Sequence, residues 1–104
     1  MTTKARSDAR SFLERLRGGP LTFGRMVASI RRADDIVQAD LARRMGISRA
    51  RLCDIENGRR TVTAERAAEF ARVLGYSVNQ FVAVAVEDQL RKAGLNVKVR
   101  LEAA

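Results

Sequence analysis

Residues Gln38–Asn57 read QADLARRMGISRARLCDIEN, and this stretch decides the fold. It divides at Gly46 into two short helical segments. Two helices that cross steeply need a small residue where they approach and a turn residue tolerant of positive φ. They also need apolar side chains aimed at a third helix. Ala42 meets the first demand and Gly46 the second, while Leu41, Met45, Ile47, Leu52 and Ile55 meet the third. Ser48 stands where a hydroxyl caps the second segment, and Asn57-Gly58 closes it. The pattern is that of a helix-turn-helix, with seven positions in agreement.

The flanking residues extend the helical reading. Upstream, Thr22 opens a helix whose Phe23, Met26, Val27 and Ile30 fall at i, i+3, i+4 and i+7. It ends at Ala33-Asp34-Asp35. Downstream, Arg59–Val62 is a basic loop, and Thr63 caps a helix from Ala64 to Leu74 with a stripe of Ala67, Phe70, Ala71 and Leu74. Gly75 stops that helix. Ser77 then caps a long one from Val78 to about Ala93, which Gly94 stops. At the N-terminus, Ser7 caps a predicted short helix through Arg17, and Gly18-Gly19-Pro20 is the candidate linker. In the tail, Leu95, Val97, Val99 and Leu101 alternate with Asn96, Lys98, Arg100 and Glu102, the two-residue period of a half-buried strand. The expected architecture is all-α: a five-helix bundle containing the helix-turn-helix, a short N-terminal helix and a C-terminal strand. The segments are residues 1–20, 21–94 and 95–104.

Composition narrows the function. The 104 residues hold 20 Lys plus Arg against 12 Asp plus Glu, a formal charge of +8, and no histidine. Without His there is no Ser-His-Asp or Cys-His nucleophile system and no His-based metal site. Cys53 is the single cysteine, so no disulfide closes within the chain, and nothing nearby activates its thiol. The longest apolar run, Phe81–Val86, is far below the roughly 20 residues of a membrane span. No apolar stretch of signal-peptide length opens the chain. A cytoplasmic protein is expected that is not an enzyme and takes no cofactor or metal. Residues 1–20 carry a net +3, residues 21–63 a net +4 and residues 64–104 only +1, so the excess precedes the last third. Of the 20 bases, 17 are Arg, whose planar fork suits phosphates and guanine edges.

The stretch resembles the Xre/Cro/C1 family of helix-turn-helix DNA-binding proteins over roughly Phe23–Phe81. The resemblance rests on Gln38, Leu41-Ala42, Gly46-Ile47-Ser48, Ile55-Glu56-Asn57-Gly58 and Leu74-Gly75. It implies a lambda-repressor-like bundle of about five helices, with Ser48–Ile55 as the recognition helix in the major groove. On that reading Arg49 reaches a guanine edge or a phosphate, and the Ala50 methyl meets a thymine methyl or only leaves room. Arg51 reaches base or phosphate. Asp54 pairs with Arg51 one turn earlier or accepts from a cytosine amino group. By the resemblance, Gln38 touches a phosphate and braces the recognition helix, and Ser48 belongs to the same surface. Val37 departs from the small polar residue that usually precedes that glutamine. Asn57, Arg59 and Arg60 suit the sugar–phosphate backbone, which positions without specifying sequence. Arg43 and Arg44 are weaker candidates. The resemblance also implies a largely buried ion pair between Arg31 and Glu56.

The same family binds DNA as dimers on two half-sites. The last helix offers Val78, Phe81, Val82, Val86 and Leu90, a wider apolar face than a surface helix needs. With Val97 and Val99 of the tail these are the expected homodimer contacts. A lone strand must pair with its two-fold mate, pair with another protein, or stay disordered. The expected function is a sequence-specific double-stranded-DNA-binding autorepressor on a palindromic operator. The antitoxin of a type II toxin–antitoxin operon, similar to HigA or HipB and with a toxin partner, is one form of it. A phage-type repressor and a restriction–modification controller are others. A protein-interaction module of the same fold is the alternative from another class.

Overall fold

Four hydroxyl side chains set the starts of four helices. Thr22, Ser48, Thr63 and Ser77 each accept a hydrogen bond from the backbone N–H three residues on, satisfying one of the donors a helix start leaves open. The computed structural model describes residues 21–102 and places five helices there. They are α1 (Phe23–Ala33), α2 (Gln38–Met45), α3 (Arg49–Glu56), α4 (Ala64–Leu74) and α5 (Val78–Lys92). Only α2 begins without a side-chain cap, because Val37 occupies that position. The turn between α2 and α3 needs its glycine: Gly46 sits at φ 68°, and the Ile47 N–H donates to the Ala42 carbonyl at 3.0 Å.

The helices enclose an apolar core whose centre is Phe23. Its ring meets Phe70 edge-on at 5.7 Å and Phe81 at 6.0 Å, joining α1, α4 and α5. Met26, Val27, Leu41, Leu52 and Val84 are fully buried around it. The helix-turn-helix seats its plugs as expected, with Leu41, Ala42, Met45, Leu52 and Ile55 all buried and Ile47 packed against them. Where α1 meets the end of α3, the backbones touch. A Cβ on Gly24 would lie 2.0 Å from the Ile55 carbonyl oxygen and 2.9 Å from that of Glu56. Only a glycine allows that approach.

Two expectations need correction at the C-terminal end. Phe81, read as a dimer contact, is 2% exposed and belongs to the chain's own core. Val78 and Val82 also pack partly against that core, while Val84, which falls outside the predicted stripe, is fully buried. The physical reason is that α5 is covered on more than one side through its middle, where Ala83, Val84, Ala85 and Glu87 are all buried. A single 3.6-residue stripe cannot describe such a helix.

The strand expected over Leu95–Leu101 does not form. Residues 95–102 have no regular secondary structure, and no strand occurs among the described residues. Alternation fixes which side chains share a face, but a strand also needs a ladder partner. The tail instead leaves α5 through the Leu95 N–H on the Leu90 carbonyl, and the Val99 N–H donates to the buried Glu87 carboxylate at 2.8 Å. Leu95, Val97 and Leu101 stay exposed at 54%, 50% and 39%. The predicted Ser7–Arg17 helix lies outside the described residues. No described helix is long and apolar enough to cross a membrane.

Candidate nucleic-acid interface

The surface built by α2, α3 and the following loop rests on a buried ion pair. Arg31, on α1, donates through Nε to Glu56 Oε2 at 2.7 Å and through Nη2 to Oε1 at 3.2 Å. Both side chains are nearly closed to solvent. Two further hydrogen bonds support the pair. Arg31 Nη1 donates to the Ile36 carbonyl at 2.8 Å, and Gln38 Nε2 donates to Glu56 Oε1 at 2.8 Å. A buried ion pair is tolerable only when such additional bonds replace the lost hydration. Glu56 also settles the orientation of the Gln38 amide: with the NH2 group turned inward, the carbonyl oxygen faces Arg49, whose Nε approaches it at 3.4 Å.

Along α3 the sequence separates support from display. Leu52, Ile55 and Glu56 are buried, whereas Arg49, Ala50 and Arg51 form an exposed first turn. Ser48 Oγ is committed to the Arg51 N–H at 3.0 Å, so its role in this geometry is to cap the helix. None of the nine residues expected at a nucleic-acid surface is buried: Gln38, Ser48, Arg49, Ala50, Arg51, Asp54, Asn57, Arg59 and Arg60. Contacts link neighbours among them, from Gln38 to Arg49 and from Asp54 to the loop arginines.

The expected Arg51–Asp54 pair is not made. Asp54 instead faces Arg59 at 3.3 Å and Arg60 at 3.8 Å. The loop folds back over the end of α3, held by the Arg59 N–H on the Asp54 carbonyl at 2.8 Å, which brings two guanidinium groups to one carboxylate. Arg51 lines a cleft with Arg60 and Arg66. Asn57 turns its side-chain amide onto the Cys53 carbonyl at 2.9 Å and sulfur at 3.3 Å, so it closes its own helix. On α2, Asp40 pairs with both Arg43 and Arg44, whose side chains stay largely in solvent.

Four contributors had little local signal. Gly24 permits the α1–α3 contact; a glycine near the start of a strong helical stripe was its only trace. Gln89 and Lys92 of α5 donate to the Val62 and Gly58 carbonyls at 2.8 and 3.3 Å, holding the basic loop from behind. Nothing within residues 89–92 announces partners some thirty positions away. Arg66, in the first turn of α4, bends back to the Met45 carbonyl at 3.3 Å. Among the described residues no group of Cys, Asp and Glu is gathered that could hold a metal ion.

With this geometry in place, comparison with known proteins is specific. A family model described as helix-turn-helix matches residues 27–81, just over half of the chain. Among solved structures, the crystal structure of the clp gene regulator ClgR from Corynebacterium glutamicum superposes with a TM-score of 0.55 and 26% identity. The match covers 69% of this chain and 77% of that one. No curated protein matches the sequence.

Proposed function

The chain belongs to the Xre/Cro/C1-type helix-turn-helix family, and from that premise we propose that it is a sequence-specific regulator of transcription that binds double-stranded DNA. It acts as a homodimer on a palindromic operator and represses its own promoter. One observation carries the reading: the exposed first turn of α3, Arg49-Ala50-Arg51, stands on a helix whose opposite side is locked by the Arg31–Glu56 pair. A rigid seat beneath and exposed arginines above is what base readout requires, because a bidentate Arg–guanine contact works only if the fork is held in register. In this reading Arg49 reads a base edge, Arg51, Arg59 and Arg60 meet phosphates, and Gln38 aims Arg49 while touching the backbone.

The homodimer is supported by the apolar side chains left at the C-terminal end. Val86 and Leu90 are half-buried, and Leu95, Val97 and Leu101 are exposed within one seven-residue stretch, with Val99 half-buried between them. Two copies would set their recognition helices about 34 Å apart, one turn of DNA. A Val97→Asp substitution that leaves the sedimentation coefficient unchanged would remove the tail from the interface. The antitoxin form of the reading adds one claim, a toxin partner; co-expression with the product of the adjoining gene and co-purification test it.

Binding to the DNA upstream of the chain's own gene, measured against salt, tests the core of the proposal. Affinity should fall with a log–log slope of about −0.9 per phosphate neutralised. Weak binding with a flat salt dependence would overturn it.

A further inference from the structure

A cleft of about 190 Å³ opens between the C-terminal half of α3, the basic loop and the first turn of α4. Ile55 and Val62, both buried, supply its apolar lining. Arg51, Arg60 and Arg66 enter from three different elements, Thr61 and Thr63 add hydroxyls, and no acidic residue lines it. The cations are only partly engaged. The Arg51 guanidinium makes no hydrogen bond or ion pair among the described residues. Arg60 has only the 3.8 Å approach to Asp54. Arg66 uses Nη1 for the Met45 carbonyl and for Glu69 at 3.4 Å, which leaves its other N–H groups available.

A concavity lined by charges of one sign, with apolar material behind it, focuses their field on whatever enters. Guanidinium forks select tetrahedral oxyanions through paired N–H donors, and threonine hydroxyls complete the set. The volume sets the size of the guest. About 190 Å³ is room for one phosphoryl group with its nearest atoms, the rest of a ligand extending into solvent. We infer that this cleft is a phosphoryl-binding site. It accepts a phosphate of the DNA backbone or the phosphate of a small phosphomonoester, and a phosphomonoester seated there displaces the duplex. The displacement rests on the DNA-binding reading; the site itself does not.

The full chain, labelled with nitrogen-15, is titrated with inorganic phosphate and with ribose 5-phosphate. Ribose and chloride of matched ionic strength are the controls. The expected result is saturable shifts confined to the amides around Arg51, Arg60–Thr63 and Arg66. Arg66→Gln and Arg60→Gln should each weaken phosphate binding at least tenfold with the rest of the spectrum intact, whereas Arg49→Ala should leave it unchanged. Shifts that grow without saturation over all the exposed arginines, or that survive both Gln substitutions, overturn the site. Duplex binding by the wild type should drop severalfold in saturating ribose 5-phosphate beyond the chloride control, and no drop overturns the shared occupancy. If the chain bound phosphate here but no duplex at all, the regulator reading would fail and the site would stand.

Discussion

The same chemistry, arginine against carboxylate, occurs on both sides of α3 and does opposite work. Beneath the helix, Arg31 and Glu56 are sealed from water, bonded at 2.7 Å and completed by Ile36 and Gln38. On its outer side, Asp54 meets Arg59 and Arg60 at 3.3 and 3.8 Å with more than half of each arginine side chain in solvent. Water decides the difference. A sealed pair has no alternative partner, so it fixes geometry; an exposed pair is worth at most about 1 kcal/mol and releases its arginines to a phosphate. Rigidity and adaptability are thus built from one pair of residue types by burial.

The comparison breaks first at Glu56. Glu56→Ala should cost about 3–5 kcal/mol, because Arg31 is left charged in a dry site. That is a large fraction of the roughly 5–15 kcal/mol that holds a domain folded, and a thermal melt should show the midpoint lowered by about 12 °C or more. A variant that melts near the wild type would place this pair in the same class as the surface ones. Gly24→Ala should follow closely, at about 3 kcal/mol, since the added methyl meets the backbone oxygen of Ile55 at 2.0 Å and no rotamer relieves it. Its melt tests whether the seat beneath α3 depends on backbone contact as well as on charge.

Why the sequence foretold one side better than the other follows from range. The caps at Thr22, Ser48, Thr63 and Ser77, the turn at Gly46 and the core stripes are local signals, and the structure carries them. The Arg31–Glu56 pair spans 25 positions and entered only through the family resemblance. Asp54 went to the loop arginines and not to Arg51 because helical spacing says who is near on one helix, but not how a loop folds back. The apolar stripe places Phe81 on an outward face, but α5 is covered on more than one side and periodicity identifies only one. The tail strand failed for a simpler reason: alternation is a property of one segment, and a ladder is a property of two.

Arg49→Ala separates display from support. The side chain is exposed and its one bond, to Gln38, is long at 3.4 Å, so the melting temperature should stay within the range of surface substitutions. Duplex affinity should nevertheless fall by about 1–3 kcal/mol, roughly 5- to 150-fold, if the fork reads a guanine. An unchanged salt slope assigns a base contact, and a slope shallower by about 0.9 assigns a phosphate. Val37→Ser acts in the opposite sense, on support without display. It gives α2 the cap it lacks and should add about 1 kcal/mol, raising the melting temperature by about 5 °C. A melt no higher than wild type would mean that the packed helix-turn-helix already holds the α2 start.

The smallest effect is the most discriminating. Asp54→Asn removes the carboxylate from the exposed cluster, and the stability change should be only about 0.5 kcal/mol, since the pair is solvated on both arms. On DNA the sign carries the information. If Asp54 serves to park Arg59 and Arg60, removing its charge frees two cations at a polyanion, and affinity should rise severalfold on every sequence alike. If Asp54 instead accepts from a cytosine amino group, affinity should fall, and only on duplexes that present that base. Measuring the variant against the operator and against a scrambled duplex resolves the two. Equal gains on both place Asp54 with the adaptable exposed charges, whereas a loss confined to the operator makes it part of the reading surface beside Arg49.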